Sequence, residues 1–238
     1  MSKARVRLLN RITTYDVDIE LMDVLNIYTK SSQNKANLFK CAVSTQHPKL
    51  SSIKQPSFEY SRIKNHLKST LYDSIMVRYY EETMLYLREA LSSAIKNGLD
   101  FNRIIGTDYQ EYSSKNIIAA GNWNNIVKMI SHDIFRKLER KRNTLLLLKE
   151  LNTKLGLRVS QKTIDSVMPF LEMRHLIVHN DGKADSNFCK RFPSFSFVQG
   201  EKMSINFQMV TNAKKAIIDF VDDFDSKATK ANVFLPKQ

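Results

Sequence analysis

Apolar residues recur at helical spacing along most of this chain, and short polar stretches separate the repeats. Residues 14–30 place Val17, Leu21, Val24, Leu25 and Tyr28 on one face, with Asp16, Asp18 and Glu20 suited to the first turn. Residues 31–56 then turn polar, rich in Ser, Asn, Gln and Lys with two prolines, and read as a long loop or linker. The longest pattern opens at Pro56 or Ser57 and runs to about Asn97-Gly98. Its apolar set includes Ile63, Leu67, Leu71, Ile75, Met76, Tyr79, Tyr80, Met84, Leu85, Leu87, Leu91 and Ile95, with no internal glycine or proline. Such a segment is the natural backbone of a bundle, and its tyrosines and methionines are read as core. Glu81 and Glu82 in its middle are read as a solvated face rather than paired catalytic acids.

Residues 100–122 hold shorter helical pieces that stop near Gly121-Asn122. A second long helix is expected from Trp123 to Leu155, broken near Asn143. Ser160 is placed to cap a third, through Ile164, Val167, Met168, Phe170, Leu171, Leu176, Ile177 and Val178, with Gly182 stopping it. Pro169 predicts a kink there or a fresh helical start. Beyond it, Ser194–Val198 and Met203–Phe207 alternate polar and apolar residues around Gln199-Gly200-Glu201-Lys202, the pattern of a small β-hairpin. Thr211 or Asn212 caps a closing helix through Phe224, and the tail past Lys230 reads as frayed. The fold class is therefore mainly α, a helical bundle with a small β-hairpin near the C-terminus. Six glycines and five prolines suit that class better than a sandwich or barrel, and 42% hydrophobic residues suffice for a core.

Charge narrows the partners. Lys and Arg total 37 against 24 Asp and Glu, a net +13 that favours a polyanion. Residues 1–12 carry Lys3, Arg5, Arg7 and Arg11 without an acid, which reads as a frayed basic terminus or, more sharply, an RNA-touching arm. The densest basic stretch is Lys128, Arg136, Lys137, Arg140, Lys141 and Arg142. Of these, Arg136, Lys137, Arg140 and Lys141 are the candidate contacts to an RNA backbone. His132 is a lone histidine and reads as structural. The two cysteines, Cys41 and Cys189, form neither a disulfide framework nor a metal pattern, which fits a reduced, cytoplasmic compartment. No signal peptide and no transmembrane helix is expected, so no membrane partner.

The stretch richest in chemistry is Glu172-Met173-Arg174-His175-Leu176-Ile177-Val178-His179-Asn180-Asp181-Gly182. His175 and His179 share a helix face at i, i+4. Arg174 and His179 stand five apart, about 140° around an ideal helix. A long arginine side chain would have to swing round, or a second copy of the helix would have to supply the partner. A zinc site on the two histidines is weighed and set aside, because Leu176 stands where H-E-x-x-H carries glutamate and no third ligand is evident. A structural ion pair of Arg174 with Glu172 or Asp185 is the plainer alternative.

Arg174 to His179 reads R-x-x-x-x-H with a polar residue directly after the arginine, followed by Asn180-Asp181-Gly182. This run resembles the signature of the HEPN superfamily, helical domains found in metal-independent ribonucleases of toxin–antitoxin, abortive-infection and CRISPR systems. The resemblance extends loosely over roughly residues 58–228. It divides the chain into an N-terminal helix and linker, residues 1–56, and a HEPN-like domain, residues 57–230. It implies an endoribonuclease in defence or growth arrest, with neither metal nor cofactor, acting on RNA as a homodimer and answering to an antitoxin or defence partner. It assigns Arg174 to the phosphate and His179 to proton transfer. His175 and Asn180 are inferred to orient substrate or support His179. A tyrosine that some such toxins carry two places after the histidine is replaced here by Asp181, so control by modification at that position is not implied. The other reading is a non-catalytic HEPN-like module that binds RNA or protein.

Overall fold

The computed structural model describes residues 1–31, 33–34, 45–46, 49, 56–105, 111–140 and 143–234. Most of the polar stretch 31–56, expected as a loop or linker, lies outside the described residues, Cys41 included. The elements are α1 (Lys3–Tyr28), α2 (Pro56–Lys96), α3 (Phe101–Ile105), α4 (Ser114–Ala120), α5 (Trp123–Arg140), α6 (Thr144–Lys154), α7 (Gln161–His179), α8 (Ser186–Arg191), a 3-10 turn (Pro193–Phe195) and α9 (Phe207–Lys230). The 41-residue α2 is the axis. It packs against α1, α5, α7 and α9, while α7 also meets α6 and α9. Tyr72, Met76, Tyr79, Leu87, Leu91 and Ile95 of α2 are each no more than 2% exposed, so the long apolar pattern is core. The helical expectation holds, and the break near Asn143 falls where expected. There the Asn143 side chain accepts the Leu146 amide at 2.9 Å and starts α6.

The N-terminus is not frayed and is not a free arm. Helix α1 starts at Lys3, capped by the Ser2 hydroxyl, which accepts the Arg5 amide at 3.1 Å. Ser2 is buried, and its backbone amide donates to Asp225 at 3.0 Å. Its hydroxyl donates to the same carboxylate, which also accepts from Tyr86 at 3.3 Å. Arg5 pairs with Asp222, Arg7 with Glu89 and Arg11 with Glu82. The terminal arginines therefore lie along α2 and α9. Glu81 pairs with Arg78.

The buried face of α1 is also not the expected one. Ala4, Leu8, Ile12, Ile19 and Met22 are buried, whereas Val17, Leu21, Val24 and Tyr28 are between 48% and 67% exposed. The helix offers two apolar stripes. The stripe that runs on from Ala4, Leu8 and Ile12 spans more of the helix and wins the contact with α2.

No strand occurs among the described residues, so the expected hairpin is corrected. Phe195 lies in the 3-10 turn, and Ser196 follows it in the left-handed region at φ 53. The alternating phenylalanines instead belong to an aromatic cluster. Phe195 and Phe197 stack with centroids 5.9 Å apart, and both lie 6.1 Å from Phe188. The segment after Gly200 turns back on residues 182–184. A single antiparallel bridge joins Lys183 and Lys202, flanked by Met203 N–H to Gly182 C=O at 2.8 Å and Ala184 N–H to Glu201 C=O at 3.0 Å. Helix α9 starts earlier than expected: Asn206 caps it by accepting the Met209 amide at 2.9 Å. The tail is anchored as far as it is described, with Val233 and Phe234 buried and the Val233 carbonyl accepting from Asn97 at 2.8 Å.

Two details fix the helix that carries the motif. Pro169 lies within α7, which runs on through it to His179. Ser160 occupies the N-cap position but makes no side-chain cap bond. Its backbone amide donates to Asp223 of α9 at 2.7 Å, and the Thr163 hydroxyl donates to the same oxygen at 3.3 Å. A carboxylate from another helix thus takes over the N-terminal capping role. At the other end Asn180 is the cap, and two successive left-handed residues, Asp181 at φ 52 and Gly182 at φ 72, end the helix. The first left-handed position is Asp181, one residue before the glycine expected there. Aspartate tolerates it because its short polar side chain is among the few that do.

Candidate functional site

Helix α7 presents its buried face, Val167, Met168, Leu171, Met173 and Leu176, to the bundle. Its last two turns emerge at a cleft of about 690 Å³, where Arg174, His175 and His179 share the lining with Tyr80 of α2, Glu139 of α5, Asn143 and Thr144 at the start of α6, and Asn187 and Arg191 of α8. Both histidines are exposed and Arg174 is half-buried. The 140° between Arg174 and His179 is closed within one chain: Arg174 Nη1 lies 3.4 Å from His179 Nε2. The two imidazoles lie with centroids 4.9 Å apart, as the i, i+4 spacing predicts. One guanidinium and two imidazoles thus meet without help from a second copy.

The alternative partners of Arg174 are engaged elsewhere. Glu172 takes Arg191, whose Nη1 donates to both carboxylate oxygens at 2.6 and 2.7 Å. Asp185 caps α8 by accepting the Phe188 amide at 2.7 Å. Among the described residues no carboxylate lies within ion-pair distance of Arg174, and its Nε is buried without a hydrogen-bond partner. Its guanidinium carbon instead sits 5.1 Å from the centre of the Tyr80 ring. Burial pushes the Tyr80 phenol above its usual range, the Glu139 carboxylate adds to the shift, and Arg174 and a hydrogen bond with Thr144 oppose it. Tyr80 stays neutral at physiological pH.

Asn180 does not line the cleft. Its side-chain amide donates to the Lys183 carbonyl at 2.7 Å, across the turn that ends α7. The basic residues of α5 lie outside the cleft too. Arg136 is exposed and 3.5 Å from Asp133, Lys137 is half-buried, and Arg140 is exposed. Lys141 lies outside the described residues. His132 is exposed, 3.6 Å from Asp133. Among the described residues no cluster of three His, Cys, Asp or Glu is placed to hold a metal ion, and no helix is long and apolar enough to cross a membrane.

Sequence reasoning missed Tyr80, Glu139, Asn187 and Arg191. Tyr80 was legible only as one member of an apolar stripe. Its neighbour Tyr79 faces α1, with Tyr15 at 6.0 Å, whereas Tyr80 turns toward α7. No local pattern separates the two. No family model, no curated protein and no solved structure matches the chain.

Proposed function

We propose that this protein is an endoribonuclease that needs no metal ion and cleaves RNA in a defence or toxin–antitoxin setting. The observation that carries the reading is the Arg174–His179 contact: a guanidinium with no carboxylate partner among the described residues, 3.4 Å from an exposed imidazole, with a second imidazole beside it. A carboxylate-free arginine keeps its charge and its donors for phosphate oxygens. Histidine titrates near neutrality and carries protons in either direction. Cleavage would proceed by attack of the ribose 2′-oxygen on the adjacent phosphorus. One imidazole takes the 2′-OH proton, and the P–O5′ bond breaks as a proton is delivered to the departing oxygen. Products would be a 2′,3′-cyclic phosphate and a 5′-hydroxyl. His179 is the first proton carrier, His175 the second, and Arg174 stabilises the charge that builds on the phosphoryl oxygens. Asn180 would act through the turn that sets His179 rather than on substrate.

The resemblance of residues 174–182 to the HEPN run supports the assignment of Arg174 and His179, and the net charge of +13 supports a polyanionic substrate. Arg136, Lys137 and Arg140, which lie outside the cleft, are proposed as a backbone track together with Lys141. A homodimer and a restraining antitoxin or defence partner belong to the same proposal. The homodimer rests on the resemblance rather than on any need for a second copy to complete the triad. The test is incubation of purified protein with total RNA in excess EDTA beside His179→Ala. Cleavage by the wild type alone is expected. RNA retention without cleavage by either protein would instead favour a non-catalytic RNA-binding module.

A further inference from the structure

The surroundings of Arg174 pose a question the ribonuclease reading leaves open. A half-buried guanidinium is usually held by a carboxylate, which fixes its plane and cancels its charge. Here the acids that line the cleft are engaged elsewhere: Glu172 by Arg191, Asp185 by the start of α8, and Glu139 faces Arg88 at 3.9 Å. The group is nonetheless aimed at His179, and its Nε is shut away from solvent without a hydrogen bond. What lies beneath it is the Tyr80 ring, 5.1 Å from the guanidinium carbon. That ring is half-buried, packed against the core from its place on α2, and lines the cleft together with Thr144.

We infer that Tyr80 is a positioning residue whose ring face holds the Arg174 guanidinium at the cleft by a cation–π contact, in place of a carboxylate. An aromatic face attracts a cation without neutralising it. Arg174 is thereby oriented while its full charge remains available to an anion entering the cleft. The inference rests on the ribonuclease reading for the identity of that anion, an RNA phosphate, and on geometry alone for the contact itself.

The experiment separates ring from hydroxyl and contact from catalysis. Tyr80→Phe keeps the ring, and Tyr80→Leu removes it. The Arg174 side-chain protons, assigned by comparison with Arg174→Lys, should be shifted upfield by the ring current in the wild type and in Tyr80→Phe, and should return toward free-arginine values in Tyr80→Leu. Inorganic phosphate, titrated against each variant by NMR, should bind Tyr80→Phe within about twofold of wild type and Tyr80→Leu about 3- to 30-fold more weakly, the range a cation–π contact supports. On RNA the same order should appear in kcat more than in KM, with activity kept by phenylalanine.

An Arg174 spectrum without upfield shift in the wild type overturns the inference, whether or not Tyr80→Leu folds. So does a Tyr80→Phe variant as impaired as Tyr80→Leu, which would place the effect in the hydroxyl. Wild-type protein that cleaves no RNA but shows the ring-current and phosphate results would sink the ribonuclease reading while supporting Tyr80 as the holder of Arg174.

Discussion

Arg174 differs from several other arginines of the chain in what it touches. Arg5, Arg11 and Arg191 each meet a carboxylate that packs one helix against another. Arg174 meets a ring and an imidazole. Arg174→Ala and His179→Ala should each abolish RNA cleavage while leaving the helical circular dichroism signal and the melting temperature close to wild type, since both groups lie at the cleft and neither supports an ion pair among the described residues. Wild-type cleavage rates in His179→Ala, after contamination controls, would end the assignment. Arg174→Lys is a sharper probe. Lysine keeps the charge but loses the planar fork and stacks poorly on an aromatic face, so activity should fall at least about tenfold. A fully active lysine variant would mean that only a point charge is needed. At this scale the sequence was partly legible. The residue types and the i, i+4 histidine pair were readable from spacing alone. Side-chain reach was not, because ideal helix angles describe where Cβ atoms point and arginine extends well past them. The engagement of Glu172 by Arg191, nineteen residues away, could not be read from the chain either.

Between helices, a buried anchor of the α1 N-terminus is Asp225 on α9. This carboxylate is 3% exposed and accepts from the Ser2 amide, the Ser2 hydroxyl and the Tyr86 hydroxyl. Replacing it by alanine leaves three donors without their acceptor in a buried site, which costs about 3 kcal/mol or more. For a chain of this size that is a fall in Tm of roughly 6–12 °C. Asp225→Asn should cost less, because its carbonyl oxygen still accepts. Equal melting of Asp225→Ala and wild type would show that the network contributes little. Helix α5 carries a prediction of a different kind. If its exposed arginines track an RNA backbone as proposed, binding there releases counterions. Neutralising Arg136, Lys137, Arg140 and Lys141 together should therefore flatten the log-affinity against log-salt slope by about 0.7 for each phosphate no longer neutralised. An unchanged slope would leave α5 as a solvated face. The element scale also shows where pattern reading succeeds. Helices α2 and α7 are long, carry many apolar residues at helical spacing and are followed by glycine, so their existence was readable. The buried face of α1 was not, because two stripes compete and only packing against α2 chooses between them. The alternation from Ser194 to Val198 misled because a cluster of phenylalanines on irregular backbone produces the same period-2 pattern as a strand.

For the molecule as a whole, buried phenols set its alkaline limit. Burial pushes Tyr79 and Tyr86 well above the ordinary tyrosine range, and at Tyr86 the neighbouring Asp225 charge adds to the effect. Their neutral form is favoured in the folded state. The stability they contribute is fully present below the unfolded phenol value of about 10 and is lost as pH rises above it toward the folded values. Tm should therefore drop steeply above about pH 10, and a flat Tm from about pH 9 to 11 would contradict the burial of these hydroxyls. The last question at this scale is assembly. Closed twofold pairing is the commonest symmetric arrangement, and the resemblance implies paired motifs. Helix angles and a shortage of proton carriers would also favour pairing, but the geometry weakens both reasons: Arg174 reaches His179 within one chain, and a second imidazole, His175, stands beside it. A homodimer would then serve to wall an open cleft and to align substrate, because His175 and His179 are exposed and the cleft opens beside them. Light scattering should report close to twice the 27.6 kDa chain mass at assay concentration. Mixed dimers of wild type and His179→Ala decide what pairing does. If each cleft completes its own chemistry, activity should scale with the share of wild-type subunits, as the intrachain geometry leads us to expect. Loss steeper than that share would show that each site draws a histidine from its partner. A fully active monomer would remove the homodimer and leave the single-chain triad as the whole catalytic unit.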